Sequence, residues 1–277
     1  MNVKKINRIG VIGAGTMGSG IAQVFALHGC PVTLVDTGEA LLKSGLERVR
    51  EHTQPELWDR VSGLIQTSTN MESLSEADFV VEAVFEDAAV KRDVFKALSK
   101  TCKRDAIIAT NTSALSINEL ANAVDNPARF IGMHFMNPPK VMRLVEVIKG
   151  DRTSDETVAV VMGIASRLEK VTALSRDSPG FISNRLLFAL IGEALRLLES
   201  GAAKKEAIDI VMKSGMNHPM GPIELADFIG LDVCKEIMTA LYQGLKDERY
   251  RPTPTLEALV REGKLGRKTK EGFYRYA

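Results

Sequence analysis

An excess of charge of either sign is missing from this sequence: 36 Lys and Arg stand against 35 Asp and Glu in 277 residues, a net charge of +1. Such a balance creates no long-range field to gather nucleic acid or an anionic membrane, so any basic site has to be local. Cysteine is scarce as well. Cys30, Cys102 and Cys234 lie far apart without C-x-x-C spacing, and their odd number excludes a complete disulfide framework. Reduced core thiols in a cytoplasmic protein are expected. No apolar run approaches the ~18 residues of a membrane-spanning helix. Met1-Asn2-Val3-Lys4-Lys5 leads within a few residues into a strand and leaves no room for a signal peptide. There is no H-E-x-x-H and no Cys/His cluster at ligand spacing, so no metal is expected, and no G-x-S-x-G hydrolase elbow occurs. Internal repeats and low-complexity tracts are absent too. Histidines number only four, which shortens the search for a proton-transfer group.

What is present begins at Gly13-Ala14-Gly15-Thr16-Met17-Gly18, set between the apolar stretch 9–12 and a helix-like run over 21–28. Strand, glycine turn and helix in that order form a dinucleotide-binding unit. Gly13 permits the tight turn, Gly15 admits a pyrophosphate close to the backbone, and Gly18 lets helix and strand pack closely. The helix N-terminus, with Thr16 and Met17, offers its N–H groups to the phosphates. Asp36 closes a second apolar run about twenty residues beyond the glycines and is placed to accept from the adenosine ribose hydroxyls. It would repel a 2′-phosphate, and no Arg follows it, so NAD is favoured over NADP. The alternative is a glycine-rich turn in an unrelated α/β protein.

Further strand-like runs fall at 64–66, 79–81, 106–109, 130–134, 144–148 and 171–174, most of them separated by helix-length segments such as 88–99 and 155–168. This alternation predicts an α/β fold with a mostly parallel sheet of Rossmann type. After Asp177-Ser178-Pro179-Gly180 every apolar pattern is helical, with Gly201 as a stop signal. The expected division is a Rossmann-type NAD-binding domain over 1–176 and a smaller all-α domain over 177–277. Segments 181–200 and 223–245 carry more apolar residues than one helical layer covers, which points to a partner subunit.

His134 ends the run Arg129 to His134, and the carboxyl end of a strand in an open α/β sheet opens on the ligand crevice, where a base is useful. It could equally be a histidine hydrogen-bonded at a strand end. In Leu144 to Ile148, alternation sets Glu146 on the face of Leu144 and Ile148, so a carboxylate interrupts an apolar strand and needs a partner. If that strand pairs with the one ending at His134, Glu146 can fix the imidazole tautomer and stabilise the imidazolium. On an edge strand it would face water instead. His28, His52 and His218 are read as structural. Thr110-Asn111-Thr112-Ser113 follows a strand and faces the same crevice, and Asn184 lies in the first turns of the helix after Pro179-Gly180; each could also simply cap or turn the chain.

These residues together resemble the (S)-3-hydroxyacyl-CoA dehydrogenase family. The resemblance covers nearly the whole chain: Gly13 to Gly18, Val81-Glu82-Ala83 with Glu86 and Lys91, Asn111-Thr112-Ser113, Gly132 to Pro138, Met142 to Ile148, Pro179 to Arg185, His218 to Pro222, Leu225-Ala226-Asp227, Gly230-Leu231-Asp232, and Gly266 to Thr269 before Gly272-Phe273-Tyr274. It implies a catalytic His134–Glu146 pair, with Ser113 and Asn184 at the reacting hydroxyl or carbonyl. It implies Glu86, Lys91, Ser113, Asn137 and Lys268 around the nicotinamide half of NAD. It further implies an acyl-CoA substrate, short-chain such as 3-hydroxybutyryl-CoA, and a homodimer formed through the helical domain.

Two features depart from the family. The segment between Asp36 and Glu82 is shorter, in the region that helps hold the CoA nucleotide, and Pro139-Lys140 replaces a small residue and proline. Lys140 either meets a CoA phosphate or is solvated. A dehydrogenase of a free 3-hydroxy acid, of sugar-acid or carnitine type, is therefore the second reading, and a non-catalytic NAD-binding protein the third.

Overall fold

The computed structural model describes residues 6–277; Met1-Asn2-Val3-Lys4-Lys5, read above for the lack of a signal peptide, lies outside the described residues. The chain runs β1 (Ile9–Ile12), α1 (Thr16–Leu27), β2 (Val32–Val35), α2 (Glu39–Glu51), α3 (Pro55–Ser62), β3 (Ile65–Ser68), β4 (Phe79–Glu82) and α4 (Ala88–Thr101). It continues with β5 (Ile107–Thr110), α5 (Ile117–Leu120), β6 (Phe130–Phe135), β7 (Leu144–Lys149), α6 (Asp155–Arg167) and β8 (Val171–Arg176). The eight strands form one sheet in the order β3-β2-β1-β4-β5-β6-β7-β8. Strand positions agree with the sequence reading to within one or two residues at their ends.

Every neighbouring pair in the sheet is parallel except β6 and β7, which are antiparallel. The connections dictate this. A parallel neighbour requires a crossover, which the helices supply, whereas β6 reaches β7 through the short loop 136–143 and has to turn back. Strands β1, β4 and β5 are buried along their whole length. Helices cover both faces there, which explains why they read as continuous apolar runs rather than alternating ones. Phe25 of α1 meets Phe79 of β4 with ring centroids 6.2 Å apart, and Phe95 of α4 meets Phe130 of β6 edge-on at 4.9 Å.

The chain divides into two compact units between Ser178 and Pro179, two residues beyond the division expected at 176/177. The second unit contains α7 (Ser183–Glu199), α8 (Lys205–Ile210), α9 (Pro222–Ile229), α10 (Leu231–Leu245) and α11 (Pro254–Arg261). Its own core includes Phe188, Ile191, Leu195, Ile223, Leu231, Met238 and Leu256. The apolar segment 223–245 is broken into α9 and α10 at Gly230, whose φ of +104° a continuous helix cannot contain. Buried Asp209 and Asp227 tie this unit together. Asp209 accepts from the Ile223 and Glu224 N–H groups at the start of α9, and Asp227 from those of Phe273 and Tyr274 in the C-terminal segment. Among the described residues no helix is long and apolar enough to cross a membrane.

Candidate active site

The parallel strands β1, β4, β5 and β6 all end on one edge of the sheet, and the candidate residues lie at or just past those ends. After β1 the chain turns through Gly13 at φ +96° and enters α1. A Cβ on Gly18 would lie 1.7 Å from the Gly13 carbonyl oxygen, so only glycine allows the helix to approach the turn this closely. At Gly15, by contrast, a Cβ would meet nothing within 4 Å. Helix α1 starts without a capping side chain and without an acidic residue in its first turn. Open space above Gly15 and uncapped N–H donors behind it fit the pyrophosphate of a dinucleotide. Helix α2 braces the turn from below, with Gly45 against Ala14 and Arg48 Nη2 donating to the Ala14 carbonyl at 2.6 Å.

Asp36 lies where the sequence put it, past the end of β2, but its carboxylate already accepts from the Ala14 N–H at 2.6 Å and the Thr37 N–H at 2.7 Å. These bonds fix its orientation towards the turn and leave further lone pairs on each oxygen. Thr16 is exposed at the mouth of the turn. Met17 instead lays its side chain against the hydrophobic core, so any contact it makes with a nucleotide is through its backbone.

At the ends of β4 and β5 stands a chain of charged groups. Glu82, the last residue of β4, is fully buried; its Oε1 accepts from Lys91 Nζ at 2.6 Å and its Oε2 from Thr110 Oγ1 at 2.6 Å. Lys91 is 1% exposed and also reaches Glu86 Oε2 at 3.3 Å and the Val84 carbonyl at 3.4 Å. Lys91 thus gives hydrogen bonds to Glu82 and the Val84 carbonyl and adds an ion pair with Glu86. Glu86 Oε1 in turn accepts from Thr112 Oγ1 (2.5 Å), the Ser113 N–H (2.7 Å), Ser113 Oγ (3.2 Å) and the Ala114 N–H (3.1 Å). Burial pushes the Glu86 carboxyl up, yet the Lys91 ammonium and these donors outweigh it and hold the group below its ordinary value. Asn111 Oδ1 accepts from the Phe135 N–H at 2.8 Å, fastening the 110–113 segment to the end of β6. Of that segment, then, Asn111 acts as a brace while Ser113 faces Glu86.

His134 and Glu146 are directly opposite each other in the β6–β7 ladder. His134 Nδ1 lies 2.9 Å from Glu146 Oε2, and Glu146 is 1% exposed. Because β8 covers the far side of β7, the edge-strand reading of Glu146 is wrong. A carboxylate can only accept, so Nδ1 carries the proton and the neutral ring has its lone pair at Nε2. Two of the remaining three histidines are held at helix ends: the Nδ1 atoms of His28 and His52 sit 2.8 Å from the carbonyls of Val24 and Arg48, one turn back at the ends of α1 and α2.

The loop 136–143 carries Asn137, exposed, with a cis bond to Pro138. Lys170 Nζ donates to the Pro139 carbonyl at 2.5 Å and the Met142 carbonyl at 2.9 Å. Lys140 is exposed, and one of its three N–H donors goes to the His52 carbonyl at the end of α2, at 2.6 Å. A cavity of 240 Å³ lies between this loop and helices α1 and α2, with Gln23, Arg48 and Pro139 in its wall. Asn184 and Lys268 belong to the second unit. Asn184 is in the first turn of α7, half-buried, and Lys268 is exposed with its Nζ 2.5 Å from both carboxylate oxygens of Asp232. Sequence reasoning placed the Thr110 segment at the crevice but gave Glu82 no part in the site. The available signal was an acid ending an apolar strand, the same signal that exposed Glu146.

Residues 8–178 match the family model for the NAD binding domain of 3-hydroxyacyl-CoA dehydrogenase, and residues 180–276 match the model for its C-terminal domain. A protein of Deinococcus radiodurans called a probable 3-hydroxybutyryl-CoA dehydrogenase is 47% identical, over 97% of this chain and 100% of its own. The 3-hydroxybutyryl-CoA dehydrogenase of Bradyrhizobium diazoefficiens is 45% identical, over 98% and 96% respectively. Among solved structures, the (S)-3-hydroxybutyryl-CoA dehydrogenase of Ralstonia eutropha superposes with a TM-score of 0.95 at 40% identity, covering 99% of this chain and 100% of the other.

Proposed function

Since the chain belongs to the 3-hydroxyacyl-CoA dehydrogenase family, we propose that it interconverts a short-chain (S)-3-hydroxyacyl-CoA and its 3-ketoacyl-CoA, with NAD as cofactor and His134 as the proton-transfer group. The observation that carries the mechanism is the 2.9 Å contact of His134 with the buried Glu146 at the crevice end of β6. His134 takes the 3-hydroxyl proton at Nε2. Bound NAD supplies the hydride acceptor for C3. Glu146 offsets the positive charge that grows on the imidazole and keeps the ring in the tautomer that presents its lone pair. In the reverse direction the imidazolium returns the proton to the 3-keto oxygen.

Ser113 is assigned to the reacting oxygen, to which its hydroxyl donates by turning away from Glu86, its acceptor here; Asn184 is assigned to the same group. Gly13, Gly15, Thr16, Met17, Gly18 and Asp36 hold the adenosine and pyrophosphate, and Glu86, Asn137 and Lys268 serve the nicotinamide half. Lys91 acts through Glu86, since it is 1% exposed and its ammonium is held by Glu82, the Val84 carbonyl and Glu86. The homodimer reading is supported by the exposed Leu186, Ile210, Val211, Met216 and Phe228 of the second unit. The test is oxidation of NADH with acetoacetyl-CoA against free acetoacetate at matched concentration, with NADPH as control. Turnover confined to the thioester and NADH is expected. Equal or faster turnover of the free acid would make the shortened segment after Asp36 the mark of a different substrate.

A further inference from the structure

Two carboxylates and one ammonium make up the Glu82–Lys91–Glu86 chain, and every group directed at Glu82 is a donor: Lys91 Nζ, the Val84 N–H and Thr110 Oγ1. The chain therefore carries one surplus negative charge. Glu82 and Lys91 are almost wholly removed from water. A buried ion pair of this kind is not an efficient way to hold α4 on the sheet, because packed apolar residues of similar size do as well or better. The surplus charge needs another account, and its place supplies one. Glu82 ends β4, Glu86 follows it, and Ser113 past β5 lies against Glu86, beside the end of β6 that carries His134.

We propose that Glu82 is a positioning residue whose charge, relayed through Lys91 and Glu86, raises the affinity of this site for oxidised cofactor relative to reduced. The proposal rests on the functional reading above. A nicotinamide ring is positively charged when oxidised and neutral once reduced. A fixed net negative charge beside it stabilises the first form and leaves the second nearly unaffected. Lys91 alone would do the reverse, since a single ammonium at this place opposes a cationic ring. Glu82 neutralises Lys91 from below, so that the charge on Glu86 is felt undiminished from above.

The test is direct binding of NAD⁺ and NADH to the full chain, with NADH followed by its fluorescence and NAD⁺ by displacement. Glu82→Gln keeps the side-chain size and the acceptor for Lys91, and its amide can donate to a Thr110 hydroxyl turned to accept; only the charge is lost. The expected result is a fall in NAD⁺ affinity, relative to that of NADH, on the order of fivefold to tenfold, the effect of one partly screened charge. Glu82→Asp retains the charge and is expected to leave the ratio near that of the wild type. If melting shows that Glu82→Gln does not fold, Lys91→Met against the double variant Glu82→Gln/Lys91→Met decides: the single variant leaves the Glu82 charge unopposed and has to favour NAD⁺ more than the double, and equal ratios overturn the proposal. A merely structural Glu82 would weaken both nucleotides equally. An unchanged ratio in the folded Gln variant overturns the proposal, whatever happens to absolute affinity. Failure of the wild type to bind either nucleotide would instead overturn the functional reading, and the proposal with it.

Discussion

Replacing Glu146 by Gln isolates what the carboxylate does for His134. The side chain is 1% exposed and its Oε2 lies 2.9 Å from Nδ1, so the substitution removes a charge without opening a cavity. A unit charge some 4 Å from the centre of an imidazolium, at an effective dielectric constant near 20, contributes about 4 kcal/mol, an upper bound equivalent to roughly a thousandfold in rate. The amide also has an N–H to offer. If it turns that group to Nδ1, the ring proton moves to Nε2 and the lone pair needed there is lost. Charge and tautomer act in the same direction when the ring accepts the proton, so kcat for oxidation of (S)-3-hydroxybutyryl-CoA by NAD⁺ is expected to fall by about a hundredfold to a thousandfold. Affinity for NADH, titrated by fluorescence, should change by less than about twofold, because the glycine turn and Asp36 are untouched. A fall in kcat below tenfold, or a parallel loss of NADH binding, would refute the assignment of Glu146 to the proton-transfer step.

Gly18→Ala forces a Cβ to within 1.7 Å of the Gly13 carbonyl, where backbone at φ +96° cannot give way, and NADH affinity is expected to fall by about a hundredfold or more as the turn opens; fluorescence titration checks it. Glu86 is held below its ordinary value of 4.5, so its order-giving contribution to the 112–114 loop is complete at neutral pH and is lost only as acidification passes a pH lower than 4.5. NADH binding should accordingly be level down to that value, and a decline beginning near neutrality would contradict the Glu86 contacts. Burial pushes the Cys102 thiol up to about 11 and the Cys234 thiol up to about 12, so at neutral pH neither is a thiolate. Alkylation of the native protein with iodoacetamide should be slow at both, as peptide mapping would show, and rapid after unfolding.

Much of the site was legible because its signals are local. The glycine turn sits within six consecutive residues, and its physical reasons, a positive φ at Gly13 and a forbidden Cβ at Gly18, are the ones found. Glu146 was legible because an acid in an apolar strand demands a partner, and the histidines were few enough to suggest which. Glu82 gave the same signal at the end of Phe79-Val80-Val81 and was passed over. Its partner is a lysine one turn into the next helix, and lysines in helices are usually solvated. Nothing in the spacing says that Lys91 folds back beneath the 84–87 loop. The contact of Lys140 was illegible for a related reason. Its acceptor is the carbonyl of His52, far away in sequence, and only the packing of loop 136–143 on α2 brings the two together.

The reversed strand β7 explains how a carboxylate can serve a base at the rim of a parallel sheet. Had β6 been followed by a crossover helix, its neighbour would have run parallel, with its own crevice end reached only after a long excursion. The short loop 136–143 instead brings the chain straight back at the crevice edge, so β7 begins there and sets Glu146 opposite His134 after only two residues. The same loop carries Asn137 and is fastened at both ends of its arc, by Lys170 to the Pro139 and Met142 carbonyls and by Lys140 to α2. Strand direction, loop length and proton-transfer geometry are therefore one constraint. Lengthening the loop would leave each residue type in place and still disturb the pair, since the register that aligns His134 with Glu146 is set where the chain turns.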